Sequence, residues 1–485
     1  MPLPSRVIEI SDDSIRLMET NGQCGQYIAL SHCWGDSRPL CLTTKATIDD
    51  NKLEIAGPSL PKTFQNTVQV CRELGIRYLW IDSICIIQDD KIDWMQESAK
   101  MAPVYHDSYL TICATSARSD DDGLWPSSLE RAPIKKVIIQ RQSQDFIIYA
   151  RLKDDLRAVH PEGKFNDKVR PIRDALSPLM TRAWTFQERL ISPRLLHFGY
   201  GELLWQCPEL QTCECCANEE SSKSWYMRSC EHERGLLRRA LRGENDSMAA
   251  SSWRWFVQDY SGLQLTFEKD ALVALSGVAK MCLKKRPGDR YLAGLWERSL
   301  IADLTWIPVS PLSNTDLRRR PASFRAPSWS WALIRRQVIF IHVTDDIDRI
   351  CARILRATSV PSGIDPTGEV ASGSIVLVAP VEPARITRVI AESFYVYSPH
   401  ADHDVMFKFD STAEIDDQTI SEGKPILCLR LQYNAKRPGL SSIMLALVPV
   451  DNRPGVYRRV GIIRVSRRQD FGDASFNQEI EVEII

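Results

Sequence analysis

Short apolar runs alternate with helix-period stretches along the first 125 residues of the chain. Tyr27-Ile-Ala-Leu-Ser31 reads as a buried strand, stopped where Gly35 and Asp36 follow. Pro61 opens a helix, because a missing N–H costs nothing in the first turn. Phe64, Val68, Cys71 and Leu74 share one face of it, and Gly75 closes it. Tyr78-Leu-Trp-Ile-Asp82 is the next strand, a helix runs from about Asp93 to Tyr105, and Leu110-Thr-Ile-Cys-Ala114 is a third strand. Strands alternating with helices predict an α/β domain built on a parallel sheet with right-handed crossovers.

Residues 126–177 are polar and irregular. An amphipathic helix follows from about Leu179 to Leu190, stopped by Ser192-Pro193. Residues 195–206 read as strand, and 208–250 as a charged, cysteine-containing connector. From Trp253 to Trp306 the pattern is helical, with Leu272, Leu275, Val278 and Ala279 in one stripe. The last third changes period: Ser374–Ala379, Ile426–Leu431, Ile443–Val448 and Val460–Val465 predict a mainly antiparallel β region. The expected division is 1–206, 207–335 (cysteine-containing connector and helical region) and 336–485 (β-rich region).

Composition narrows the function classes. With 485 residues, 44% of them hydrophobic, there is material for more than one core. Lys plus Arg is 61 and Asp plus Glu is 62, a balance that removes the general argument for nucleic-acid binding. No apolar run reaches the length of a membrane span, and the N-terminus lacks a signal-peptide core, so a soluble cytoplasmic protein with no membrane partner is expected. Several of the 14 cysteines sit inside apolar runs (Cys71, Cys85, Cys113, Cys428) and read as reduced thiols. Cys207, Cys213, Cys215 and Cys216, with Cys230 and His232 nearby, lack paired zinc-knuckle spacing, so no metal is expected.

Four stretches taken together resemble the heterokaryon incompatibility (HET) domain family of filamentous fungi. They are Tyr27-Ile-Ala-Leu-Ser-His-Cys-Trp-Gly35; Leu60-Pro-Lys-Thr-Phe64 leading to Leu79-Trp-Ile-Asp-Ser-Ile-Cys-Ile-Ile-Gln-Asp89; Asp93-Trp-Met-Gln-Glu-Ser98 with Met101, Val104 and Tyr105; and Arg182-Ala-Trp-Thr-Phe-Gln-Glu-Arg-Leu190. Tyr291–Trp296 and Ala326–Ala332 resemble the usual extension of such proteins. Phe186 stands where the family more often has Leu, and Ser108 where Ala is common. The resemblance implies a role in fungal non-self recognition and programmed cell death. HET domains are also similar to Toll/interleukin-receptor (TIR) domains, some of which cleave NAD at the nicotinamide–ribose bond. That similarity implies a TIR-like (flavodoxin-like) N-terminal domain, with Leu30–Asp36 similar to the TIR strand end and Trp94-Met-Gln-Glu97 to the TIR catalytic motif.

Candidate site residues follow from position. Ser31, His32, Trp34, Gly35 and Asp36 lie just past a strand end, where ligands bind open parallel sheets, and they suit a nucleotide. The alternative is a tight turn with Trp34 as a core plug. Asp82, at the next strand end, either holds a ribose hydroxyl or caps its own turn. The helix 179–190 carries Trp184, Gln187 and Glu188 on a second face beside Arg182 and Arg189. Arg182 would clamp phosphate, while an aromatic stripe of this kind favours a structural role for that face. Asp89-Asp90 and Asp120-Asp-Asp-Gly123 read as solvated turns. Glu97 is the expected catalytic carboxylate, with Trp94 beside it: Asp93 as N-cap and Gln96 three residues on would put Glu97 near the helix start.

Three functions remain open. One is a cell-death effector that binds and hydrolyses NAD or a related nucleotide, with no required cofactor. Another is a non-enzymatic module that self-associates or meets a partner incompatibility protein. The third is a HET-like enzyme of small-molecule secondary metabolism.

Overall fold

The computed structural model describes residues 1–35, 41–125, 135–141, 144–150, 175–214, 225–242, 246–309, 324–334, 336–341, 349–390, 393–397, 405–410, 421–433, 442–465 and 478–485. The chain divides into two compact units, Met1–Gly235 and Leu236–Ile485. No helix among the described residues is long and apolar enough to cross a membrane.

In the first unit, strands β1 (Arg6–Ile10), β2 (Ile15–Glu19), β3 (Tyr27–Ser31), β4 (Tyr78–Trp80) and β5 (Leu110–Cys113) share one sheet with β8 (Leu195–Phe198), β9 (Leu203–Gln206) and β10 (Gln211–Cys213). Its order is β10-β9-β8-β5-β3-β4-β1-β2. The four inner strands, β8, β5, β3 and β4, are mutually parallel. The flanking strands on both sides pair antiparallel. The hairpin of β6 (Lys135–Arg141) and β7 (Gln144–Ala150) stands apart as a separate two-stranded sheet.

The parallel centre follows from the apolar runs. Every residue of β3 is buried, as a sheet covered on both faces requires. Helix α2 (Lys62–Glu73) follows α1 (Ile48–Leu53), starts after Pro61 and buries Phe64, Val68 and Cys71. Leu74, expected on that face, is instead the C-cap and half exposed. Gly75 leaves the helix at φ +66°, the left-handed conformation glycine adopts without strain.

Three expectations are corrected. The second strand stops at Trp80, and Asp82 begins the short helix α3 (Asp82–Cys85). The helix expected over 93–105 is two: α4 (Lys91–Ser98) and α5 (Met101–His106). Asp90, not Asp93, is the N-cap of α4, accepting from the backbone N–H groups of Ile92 and Asp93. The Asp93 carboxylate is held by Arg6 at 2.6 Å and by the Ile87 N–H, which leaves it no capping role. Helix α6 (Ala183–Ile191) follows a 3₁₀ turn over Pro178–Thr181.

In the second unit, helix Asp246–Ser261 starts inside the expected connector and covers only the beginning of the stretch expected to be helical from Trp253, which then breaks into 3₁₀ turns and Ser276–Leu283. A tight hairpin over Tyr291–Trp296 holds Gly294 at φ +96°. The Gly294 carbonyl accepts from the indole N–H of both Trp253 (2.9 Å) and Trp331 (3.0 Å). A Cβ on Gly294 would come 2.5 Å from the Trp331 Nε1. Gly294→Ala is therefore expected to cost about 2–4 kcal/mol of stability, from left-handed strain plus overpacking, read as a lowered urea midpoint.

The expected β region is a nine-stranded sheet of the described residues. Its central strand, Val370–Ile390, pairs with Arg353–Pro361, Ser393–Tyr397, Pro425–Tyr433 and Glu479–Ile484. Its pairings are antiparallel except Val456–Val465 with Glu479–Ile484. Arg459 is wholly buried there. Its guanidinium holds Asp410 (Nε to Oδ2, 2.9 Å), donates to the carbonyls of Leu304 (2.7 Å) and Trp306 (2.6 Å), and lies 3.5 Å from the centre of the Trp306 ring.

Candidate functional site

The C-terminal ends of β3, β4 and β5 bring together residues distant in sequence. The chain crosses from β3 to β4 on one side and reaches β5 on the other, so β3 sits where the strand order reverses. Open parallel sheets bind ligands at such a point.

Ser31 ends β3 and its hydroxyl donates to Glu188 Oε2 at 2.5 Å. Glu188 belongs to α6, which is buried on nearly every side; Gln187, Glu188 and Arg189 all lie inside. The polar second face expected of this helix is thus an interior face. Burial pushes the Glu188 carboxyl up to about 7, with Asp82 adding to the shift, against the Ser31 hydrogen bond and the charges of Arg182 and His32. Arg182, the N-cap residue of α6, donates from Nη1 to the His32 carbonyl at 2.5 Å. Tyr105 donates to the Leu30 carbonyl at 3.1 Å, and burial, with Glu188 next, raises its phenol well above the usual range.

The His32 ring lies edge-on to Phe64 and presents Nε2 to two carboxylates, Asp120 Oδ1 at 3.0 Å and Asp82 Oδ1 at 3.8 Å. Burial works against the imidazolium, but Asp120 and Asp82 together outweigh it and His32 titrates higher than usual. Asp82 accepts the Trp34 indole N–H at 3.1 Å and the N–H of Ser83 at 2.7 Å, so it caps its turn and also holds Trp34. Gly35 adopts φ +86° and packs against Ser119; a Cβ there would come 2.9 Å from the Ser119 Cβ. Burial pushes the Cys33 thiol up to about 11, which keeps it protonated and poorly nucleophilic at neutral pH.

Of the residues expected at the site, Ser31, His32, Trp34, Asp82 and Arg182 are connected by these contacts, and Gly35 shapes the adjoining turn. Asp36 lies outside the described residues, as do Cys215 and Cys216. Glu97 falls in the last turn of α4, not the first, and pairs with Lys100 at 2.8 Å. Trp94 packs partly buried against the core. Sequence reasoning did not place Glu188 and Asp120 beside Ser31 and His32, where the structure puts them. Asp120 was expected in a solvated turn, yet it is 4% exposed, while its neighbour Asp122 does make the turn by accepting from Arg118 and Ser119.

This arrangement offers a buried carboxylate poised near neutrality, a hydroxyl and a phenol around it, an imidazole between two acids, and one arginine. Such a set can orient a polar ligand and stabilise positive charge developing beside Glu188. Residues 27–188 match the family model described as "Heterokaryon incompatibility protein (HET)". No curated protein and no solved structure matches the chain. Every residue of the Ser31–His32–Asp82–Asp120–Arg182–Glu188 cluster falls inside the segment that is similar to the heterokaryon incompatibility domain.

Proposed function

We propose that the HET domain binds NAD, or a closely related nucleotide, at the C-terminal ends of β3, β4 and β5 and hydrolyses its nicotinamide–ribose bond, as the effector step of a non-self response that ends in cell death. The observation that carries this reading is Glu188: a fully enclosed carboxylate at a strand-order reversal, bonded to Ser31 and titrating near neutrality. The parallel strands run β4-β3-β5-β8 in space, second-first-third-fourth in chain order. That agrees with the opening of a flavodoxin-like sheet and supports the TIR-like reading.

In the reaction the C1′–N bond breaks and its electron pair stays with nitrogen, so nicotinamide leaves neutral. The ribose carbon becomes electron-poor, and the Glu188 carboxylate stabilises it, as carboxylates do in glycoside hydrolysis. Water adds its oxygen to C1′; the proton it loses passes to Glu188 and on to solvent, leaving ADP-ribose. Glu188 takes this role in place of Glu97, whose carboxylate is bound to Lys100. Arg182 is the group for the pyrophosphate, and Trp34, partly exposed, offers a ring face to the base. Incubating the purified full chain with NAD, NADP and ATP, then separating the products, tests the proposal. Nicotinamide and ADP-ribose are expected from NAD; no nicotinamide from either dinucleotide overturns it.

A further inference from the structure

Asp120 is the least satisfied charge of the cluster. Both its carboxylate oxygens are buried and receive no hydrogen bond from the described residues. His32 Nε2 is 3.0 Å away, within ion-pair range, but is not aligned on Oδ1 as a hydrogen bond. A carboxylate left this way loses its hydration without replacement, a cost that an occupant with hydroxyl or N–H donors would offset.

Resting on the site reading above, we infer that Asp120 takes the vicinal 2′- and 3′-hydroxyls of the ribose whose glycosidic bond faces Glu188, and so selects ribonucleotides over 2′-deoxyribonucleotides. The two oxygens of one carboxylate match two neighbouring hydroxyl donors, the use acidic residues have at ribose subsites elsewhere. The Asp120 and Asp82 carboxylates meet through His32: its Nε2 lies 3.0 Å from Asp120 Oδ1 and 3.8 Å from Asp82 Oδ1, and the preceding residue, Ser31, donates to Glu188. On the other side of the imidazole, Asp82 is 26% exposed on its side chain and holds the partly exposed Trp34. A cation fits the place less well, since among the described residues no three His, Cys, Asp or Glu groups converge as metal ligands.

The test compares ADP-ribose, which carries this second ribose, with ADP, which lacks it, by titration calorimetry on the full chain and on Asp120→Asn. The wild type is expected to bind ADP-ribose at least tenfold more tightly than ADP. Asp120→Asn is expected to bring the two within about twofold, with ADP itself unchanged. Independently of any variant, wild type should bind ribose 5-phosphate at least fivefold more tightly than 2-deoxyribose 5-phosphate. Equal affinity for the two sugar phosphates, or an unchanged ADP-ribose preference in a folded Asp120→Asn, overturns the inference. The outcomes separate the two proposals: Asp120-dependent binding without NAD cleavage removes the hydrolase and keeps the subsite, whereas cleavage with no Asp120 dependence does the reverse.

Discussion

Glu188→Gln is expected to lower the rate of nicotinamide release by at least about 100-fold with KM little changed, the loss typical of removing a positioned acid–base group. The amide keeps the shape and can still accept from Ser31, so ligand binding survives while the negative charge is lost. On the proposed mechanism the carboxylate is the active form, and with burial pushing Glu188 up to about 7, activity should fall as pH drops below that value. The variant's residual rate should be flat there. Stability should move the opposite way. The folded-state pKa of Glu188 lies above its unfolded value, so its favourable contribution is present at low pH and fades as pH rises through 7. Above pH 7 the wild type therefore carries a carboxylate that burial disfavours, and Glu188→Gln should melt higher than wild type. A variant that loses both rate and stability would mark Glu188 as structural.

The largest stability effect is expected at Arg459. Arg459→Ala removes the counter-charge of the buried Asp410 and strands the carbonyls of Leu304 and Trp306, which receive its other donors. Breaking a buried pair from one side costs about 3–5 kcal/mol. Thermal unfolding followed by tryptophan fluorescence reads the loss, because Trp306 lies against the guanidinium. Arg459→Lys should recover little, since one ammonium cannot reach two carbonyls and both carboxylate oxygens in a planar fork. Replacing the pair together, Arg459→Met with Asp410→Leu, should recover part of the loss, limited by the two carbonyls. Loss below about 1 kcal/mol for Arg459→Ala would show that water replaces the guanidinium there.

The inner strands were legible because β3, β4 and β5 are apolar runs ended by turn residues. Strands β1 and β2 were not. Arg6 and Glu9 break the apolar pattern of β1, yet both are buried, Arg6 against Asp93 and Glu9 between Arg16 and Arg77. Ion pairing made those charges fit a strand, and pairing across the fold leaves no local mark in the chain. The same reason hid Glu188, whose partner Ser31 is 157 residues away. Strand-end position was enough to group Ser31, His32, Trp34 and Asp82, because backbone topology alone carries them to one edge of the sheet. Two aspartates three residues apart, Asp90 and Asp93, both resemble a cap; the distant Arg6 decides between them by occupying Asp93.

The 21-residue strand Val370–Ile390 imposes an order on how the second unit is made. On one edge Ile375 meets Ala357 almost at once, by a local hairpin, but on the other it waits for Ile484. During synthesis the stretch Ile375–Pro380 therefore emerges with one row of backbone donors and acceptors open, beside the apolar side chains of Ile375 and Leu377, until Glu479–Ile484 arrive. Late pairing of this kind slows folding and leaves an adhesive edge exposed to other chains. Refolding from denaturant should thus lose yield steeply as protein concentration rises, and a cell producing this chain has reason to keep a chaperone on that edge.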